Sequence, residues 1–188
     1  NDGIKLTLSL SPDPKDEPLW HCAYSLKMVI EINEQLTLSL TTENLDQESF
    51  VISQALHTYF AVGNIEKTQV RGLSNHHYLD KVENFREKLQ AGEIVFNGET
   101  DRVYLNSPDK LFIEDSDWAR RIVVESSGSN TTIVWNPWDR VATLKDMTDD
   151  SYQYFVCVET ANAANNSISL APGESHTISA GYRIMPLG

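Results

Sequence analysis

At 188 residues the chain has the length of one domain and enough residues for a sizeable core. It carries 27 acidic against 15 basic residues, net −12 with neutral histidines, and such a surface repels phosphate backbones and anionic lipid. Nucleic-acid and membrane roles are not expected, and no apolar run approaches the ~20 residues that cross a bilayer.

The opening NDGIKLTLSL has neither an initiator Met nor the basic-then-apolar layout of a secretory signal, which suggests a processed start or an excised piece. From there period-two alternation dominates. Ile4, Leu6, Leu8 and Leu10 face one way against Lys5, Thr7 and Ser9. SPDPKDEP at 11–18 cannot continue a ladder and reads as a loop. Tyr24, Leu26, Met28, Ile30 and Ile32 repeat the alternation, as do Leu36, Leu38 and Leu40, so 24–32 and 36–41 read as a hairpin closed by NEQ.

Segment 50–61 reads as a strand covered on both faces, with His57 inside it. KVENFREKLQ at 81–90 alone has helical character, and its charges make it a solvated surface segment. Further strands are expected at 93–96, 102–105, 110–114, 121–125, 131–135, 152–160, 167–170 and 176–184, punctuated by Gly, Pro, Asn and Asp. Internal repeats and low-complexity tracts are absent. Many short strands with turn punctuation argue for an all-β antiparallel sandwich of one domain. Cys22 and Cys157 both sit in apolar, strand-like runs and read as small buried hydrophobes rather than a disulfide, which points to a reducing, cytoplasmic compartment.

Three side chains could carry chemistry. In SYQYFVCVETANAA, Phe155, Cys157 and Glu159 share one face and Val156, Val158 and Thr160 the other, so Glu159 is a carboxylate on a strand apolar on both sides. Full burial raises a carboxyl pKa by up to ~3–5 units. The plainer reading is a strand-end Glu that has reached solvent and a surface cation. His57 is either a satisfied core histidine or a proton donor. An imidazole and a carboxylate that both sit in unfavourable settings make a general acid and a general base. Asp101, in FNGETDRVYLN, is either a substrate ligand or a turn Asp paired with Arg102 or Lys110.

Weaker constellations are His76, His77 and Asp80 in HHYLD, more simply an exposed loop than a metal site, and Trp135 with Trp138 around Asn136–Pro137. The tryptophans either form a sugar-stacking platform or fill the core. No Gly-rich phosphate loop, nucleophile elbow or zinc-type Cys/His spacing is present.

ALHTYF, VGNIEKTQVRGL, YLDKV, GETDRVY, TIVWNPW, FVCVET and LAPGESHTIS, in that order, resemble the glucose-6-phosphate 1-epimerases, hexose-6-phosphate mutarotases of the galactose-mutarotase-like superfamily. The resemblance implies an antiparallel β-supersandwich and cofactor-free, metal-free interconversion of the α and β anomers of a hexose 6-phosphate. By position it makes His57 the general acid, Glu159 the general base and Asp101 a substrate-binding residue. It also implies that the family's N-terminal strands, with a further histidine and most phosphate-holding basic residues, are not in this chain. The chain would then be the C-terminal part of a longer one.

Phosphate contact would fall to Arg71, Arg102 or Arg140, since long-range repulsion by the acidic surface is screened beyond ~8–10 Å. A non-catalytic carbohydrate-binding sandwich is the alternative. A glycosidase using Asp101 and Glu159, ~5–9.5 Å apart, is a third reading that leaves His57 without a task. The expected partner is a small sugar phosphate, with no nucleic acid and no membrane.

Overall fold

Repeated apolar–polar alternation leaves this chain one economical way to bury its apolar faces, strand beside strand and sheet upon sheet. The computed structural model describes residues 3–13 and 20–188, so most of the expected 11–18 loop lies outside the described residues. The strands are β1 (Ile4–Leu10), β2 (Tyr24–Ile32), β3 (Leu36–Asn44), β4 (Phe50–Ile52), β5 (Gln54–Leu56), β6 (Tyr59–Ala61), β7 (Thr68–Arg71), β8 (His77–Asp80) and β9 (Arg86–Leu89). They continue with β10 (Ile94–Val95), β11 (Thr100–Leu105), β12 (Lys110–Asp115), β13 (Arg120–Ser127), β14 (Thr131–Asn136), β15 (Phe155–Asn162), β16 (Ile168–Leu170) and β17 (Ser175–Pro186).

One eight-stranded sheet runs β1-β2-β3-β17-β13-β12-β7-β10. The second runs β5-β15-β14-β11-β8-β9, and β6 also pairs with β15. β16 and β4 form a small ribbon. Every pairing among the described residues is antiparallel. No helix among them is long and apolar enough to cross a membrane. The architecture is the antiparallel all-β sandwich that the alternation predicts.

The core lies between the two large sheets. Val70, Leu111, Ile113, Ile122, Val124 and Ile178 of the first meet Tyr104, Val134, Val156 and Val158 of the second. Burying each such aliphatic side chain stabilises by about 1.5–3 kcal/mol. Because Val156 and Val158 point inward, Cys157 and Glu159 must point to the other side of the second sheet. That side carries the site.

Three expectations need correction. Segment 50–61 is not one strand but β4, β5 and β6. Thr58 N–H donates to the Leu56 carbonyl at 2.9 Å, closing a three-residue turn with His57 at its apex. The imidazole is therefore not covered, and its side chain is 47 % exposed.

HHYLD is no loop: it contains β8, with Tyr78 and Asp80 buried. Segment 81–90 is not helical. A short 3-10 turn over Lys81–Glu83 is followed by Asn84 and Phe85, both left-handed at φ 53° and 62°, and the chain doubles back into β9. Asp80 stops β8 by accepting from the Val82 N–H at 3.1 Å. β7 was not expected at all; in TQVR the buried positions are Thr68 and Val70, and with only one of them apolar the alternation does not show in the sequence.

Two features fix β15. On its outer side Phe155 packs against Tyr59 and Trp135, with ring centroids 5.2 and 5.7 Å away. At its start, the amide of buried Asn136 donates to the Tyr152 and Phe155 carbonyls, both at 2.9 Å, and its oxygen accepts from Trp138 N–H at 2.9 Å. Asn136 thus ties β14 to the chain that enters β15, and the Asn136–Pro137 bond is trans. Asn136→Leu should strip those partners and lower unfolding free energy by about 3 kcal/mol, read by urea titration; a loss under about 0.5 kcal/mol would show that the tie is dispensable.

Candidate active site

Register sets out the site as two adjacent rows across the outer side of the second sheet. Tyr59, Cys157, Trp135 and Asp101 form one row, on β6, β15, β14 and β11. Glu159, Ile133, Val103 and Leu79 form the next, on β15, β14, β11 and β8. Continuing the Leu56–Thr160 pairing by one residue puts His57 directly opposite Glu159. Its Nε2 lies 3.3 Å from Glu159 Oε1.

His57 and Glu159, about 100 residues apart in sequence, therefore converge. The plainer reading of Glu159, a solvated strand end, is excluded because the residue is only 3 % exposed. Burial pushes its carboxyl up to about 7, and the neighbouring Asp101 charge pushes the same way while Lys81 opposes it. His57 moves the other way: desolvation lowers its pKa. The ordinary order of the two groups is therefore lost, the carboxyl holding its proton to higher pH and the imidazole giving its proton up at lower pH than either would in water. The imidazole is held by rings, stacked on Tyr59 at 4.8 Å and edge-on to Trp135 at 5.6 Å.

Asp101 lies two strands from Glu159, about 10 Å across the sheet. It pairs with neither Arg102 nor Lys110. Its Oδ2 meets Lys81 Nζ at 2.8 Å, and its Oδ1 is buried with no hydrogen-bond partner. Lys81 was not singled out in the sequence. It stands one step beyond the Asp80–Arg102 pair and so falls opposite Asp101. The signal was the register, which the sequence does not print.

The expected phosphate ligands are engaged elsewhere. Arg71 is on the first sheet, paired with Glu114 at 3.2 Å and Glu93 at 3.6 Å. Arg102 points to the opposite side from Asp101, donates to Gln90 Oε1 at 3.1 Å and lies over the Tyr78 ring. Arg140 is paired with Glu99 at 2.8 Å.

The tryptophans part company. Trp135 faces the site, whereas Trp138 packs on Tyr152 against the core. In HHYLD, His77 pairs with Glu87 at 2.8 Å, Asp80 pairs with Lys88 at 2.8 Å, and His76 Nδ1 lies 3.2 Å from the Ser74 carbonyl. These three residues do not converge on one point.

A carboxyl held at about 7 rather than 4.5 has a stability consequence. Its contribution is intact below pH 4.5 and is lost as pH rises through 7, at about 1.4 kcal/mol per pH unit. Glu159→Gln should therefore be more stable than wild type above pH 7.5, by up to about 3 kcal/mol, with the gap closing near pH 4. Denaturant titrations at the two pH values check this, and a pH-independent difference would contradict the buried carboxylate.

Against known proteins, residues 1–183 match the family described as aldose 1-epimerase. A curated relative from Cenchrus ciliaris, named "Putative glucose-6-phosphate 1-epimerase", is 36% identical over 184 residues, 93% of this chain and 55% of that protein. The chain spans about half the length of the curated relatives it matches. A crystal structure of a "putative mutarotase (YeaD)" from Salmonella typhimurium superposes with a TM-score of 0.88 at 28% identity, covering 98% of this chain and 61% of that one. A galactose mutarotase-like protein from Lactobacillus casei shares the fold, with a TM-score of 0.76 at 11% identity over 98% of this chain and 72% of that one. The strand order, the motif series and this match over nearly the whole chain agree: the protein belongs to the aldose 1-epimerase family.

Proposed function

We propose that this chain carries the acid–base pair of a hexose-6-phosphate mutarotase, with glucose 6-phosphate as substrate. The observation that carries the reading is the 3.3 Å approach of His57 Nε2 to a Glu159 carboxyl removed from water. The names of the curated relatives support the substrate, and the family match supports the reaction class.

The chemistry follows from the pair. Glu159 as carboxylate takes the proton from the anomeric O1–H, and His57 as imidazolium gives one to the ring oxygen O5. The C1–O5 bond breaks, C1 becomes an aldehyde, and rotation about C1–C2 presents its other face. Closure returns the O5 proton to His57, and Glu159 gives its proton back to O1. O1 and O5 are bonded to the same carbon, so a base and an acid in contact with one another serve one edge of the ring. The two groups need not stand on opposite sides of the sugar. Both must change state in each half-reaction, which is easiest when both midpoints lie near neutrality. Asp101 then accepts a hydrogen bond from a hydroxyl farther round the ring, and the exposed ring of Tyr59 with the half-buried ring of Trp135 offers the sugar an apolar face.

We also read the chain as one part of a longer polypeptide whose remaining strands complete the substrate site. β1 leaves Ile4, Leu6, Leu8 and Leu10 each about half exposed or more, an apolar stripe unusual on a free surface. A groove of about 530 Å³ runs from Ile32 and Leu36 past Thr58–Ala61 to Ile184. The relatives' greater length supports the same reading. Cys22 and Cys157 are both free thiols, in keeping with a cytoplasmic location.

Exchange NMR on the anomers of glucose 6-phosphate, run on the full polypeptide that includes the completing strands, tests the function. His57→Asn and Glu159→Gln should each slow exchange at least about a hundredfold with the fold retained. The wild-type rate should follow a bell-shaped pH profile centred near neutrality. Near-wild-type exchange in either variant removes that residue from the mechanism. Sugar binding without exchange above the spontaneous rate would favour a binding module instead.

A further inference from the structure

Among the described residues, Lys81 and Asp101 form a charge pair on the site side whose members both act electrostatically on His57 and on Glu159. Its geometry is directed. Lys81 Nζ meets Asp101 Oδ2 at 2.8 Å, yet Oδ1 of the same carboxylate is buried and unpaired. Leaving a buried acceptor unmet costs about 1–3 kcal/mol, and native folds keep such an atom where something else supplies the donor. Lys81 is placed by two devices. Asp80 ends β8 immediately before it, and cross-strand register sets it opposite Asp101.

We propose that Lys81 is a positioning residue for the epimerisation: it holds the Asp101 carboxylate in place through one oxygen, and it cancels the Asp101 charge beside the His57–Glu159 pair. The inference rests on the mutarotase reading of this site. Without the ammonium, Asp101 would be free to turn, and its uncompensated charge would disfavour ionisation of Glu159. Both consequences impair the reaction, the first through binding and the second through proton transfer.

The groups that bear on Glu159 are few enough to make this measurable. His57 faces it from the β5–β6 turn, Tyr59 from β6, Cys157 from its own strand, Asp101 from β11 and Tyr182 from β17, while Lys81 is the cation. Burial and the Glu159 charge both hold the Cys157 thiol protonated, and Tyr59 and Tyr182 are likewise raised, so all three stay neutral through the range where Glu159 and His57 titrate.

The experiment titrates isotope-labelled His57 and Glu159 by NMR in the full polypeptide of which this chain is read as a part, as wild type, Lys81→Met, Lys81→Arg and the Lys81→Met/Asp101→Asn double variant. Lys81→Met should raise both midpoints by about half a pH unit or more. Lys81→Arg should leave them near wild type, and the double variant should return toward wild type because both charges are gone. In anomer exchange, Lys81→Met should raise KM about tenfold with a smaller change in kcat.

Unmoved midpoints in Lys81→Met, a double variant no closer to wild type than the single, or an unchanged KM would each overturn the proposal. A thermal melt of each variant separates these outcomes from misfolding, and Lys81→Arg supplies the folded comparison. Wild-type protein that shows no exchange would refute the mutarotase reading. The titrations would still decide whether Lys81 and Asp101 are coupled to the pair.

Discussion

The site depends on a single constraint, a carboxyl that the fold keeps out of water directly opposite an imidazole. β15 is buried along its whole length, so Glu159 has no route to solvent through its own strand. What faces it is decided by the ladder. β5 and β6 pair with β15 on either side of a short turn, and the turn residue is the one that register places across from Glu159. The turn does two jobs at once: it frees His57 from the ladder and leaves its ring half-exposed. The carboxyl is thus buried and rigid, and the imidazole is half-exposed and reachable. That division suits the proposed pair, in which a desolvated carboxyl and an accessible imidazole both exchange protons with one sugar.

Such a site is held against its own cost. A carboxyl with its midpoint near 7 weakens the folded state at neutral pH, and the compensation is found in the packing around it. The Val156 and Val158 side of β15 belongs to the main core, the Phe155 side is closed by Tyr59 and Trp135, and the strand entrance is tied by Asn136. None of these residues needs to touch substrate to matter. They set the dielectric in which Glu159 titrates and the line along which it points.

How far the sequence discloses this is uneven, for physical reasons. Alternation in 4–10, 24–32, 36–40 and 176–184 is strong because those strands are long and have two distinct faces, and there the expected elements match closely. It fails where buried positions are polar, as Thr68 is in Thr68–Arg71 and as Asp80 is beside Lys88. KVENFREKLQ has helical composition, yet two consecutive left-handed residues turn it into the second arm of a hairpin. His57 and Glu159 are found by asking which titratable groups sit in apolar surroundings, although the reasoning for His57 placed it inside a strand rather than on a turn. Lys81 is invisible to that question. It is an ordinary charged residue in a charged segment until β8 is set against β11. Arg71 and Arg102 are opaque for the same reason, since the sheet and the side that each takes are matters of pairing and register, whereas Arg140 lies on a 3-10 turn after β14 and pairs with Glu99.

The central claim, that Glu159 is held out of water against His57, is tested most directly by the protonation of that one carboxyl. Site-resolved carbon NMR of the Glu159 side chain across pH 4 to 9 should give a midpoint near 7, with a matching inflection in the His57 ring signals. A midpoint near the ordinary 4.5, or a His57 ring indifferent to the titration of Glu159, would contradict the account.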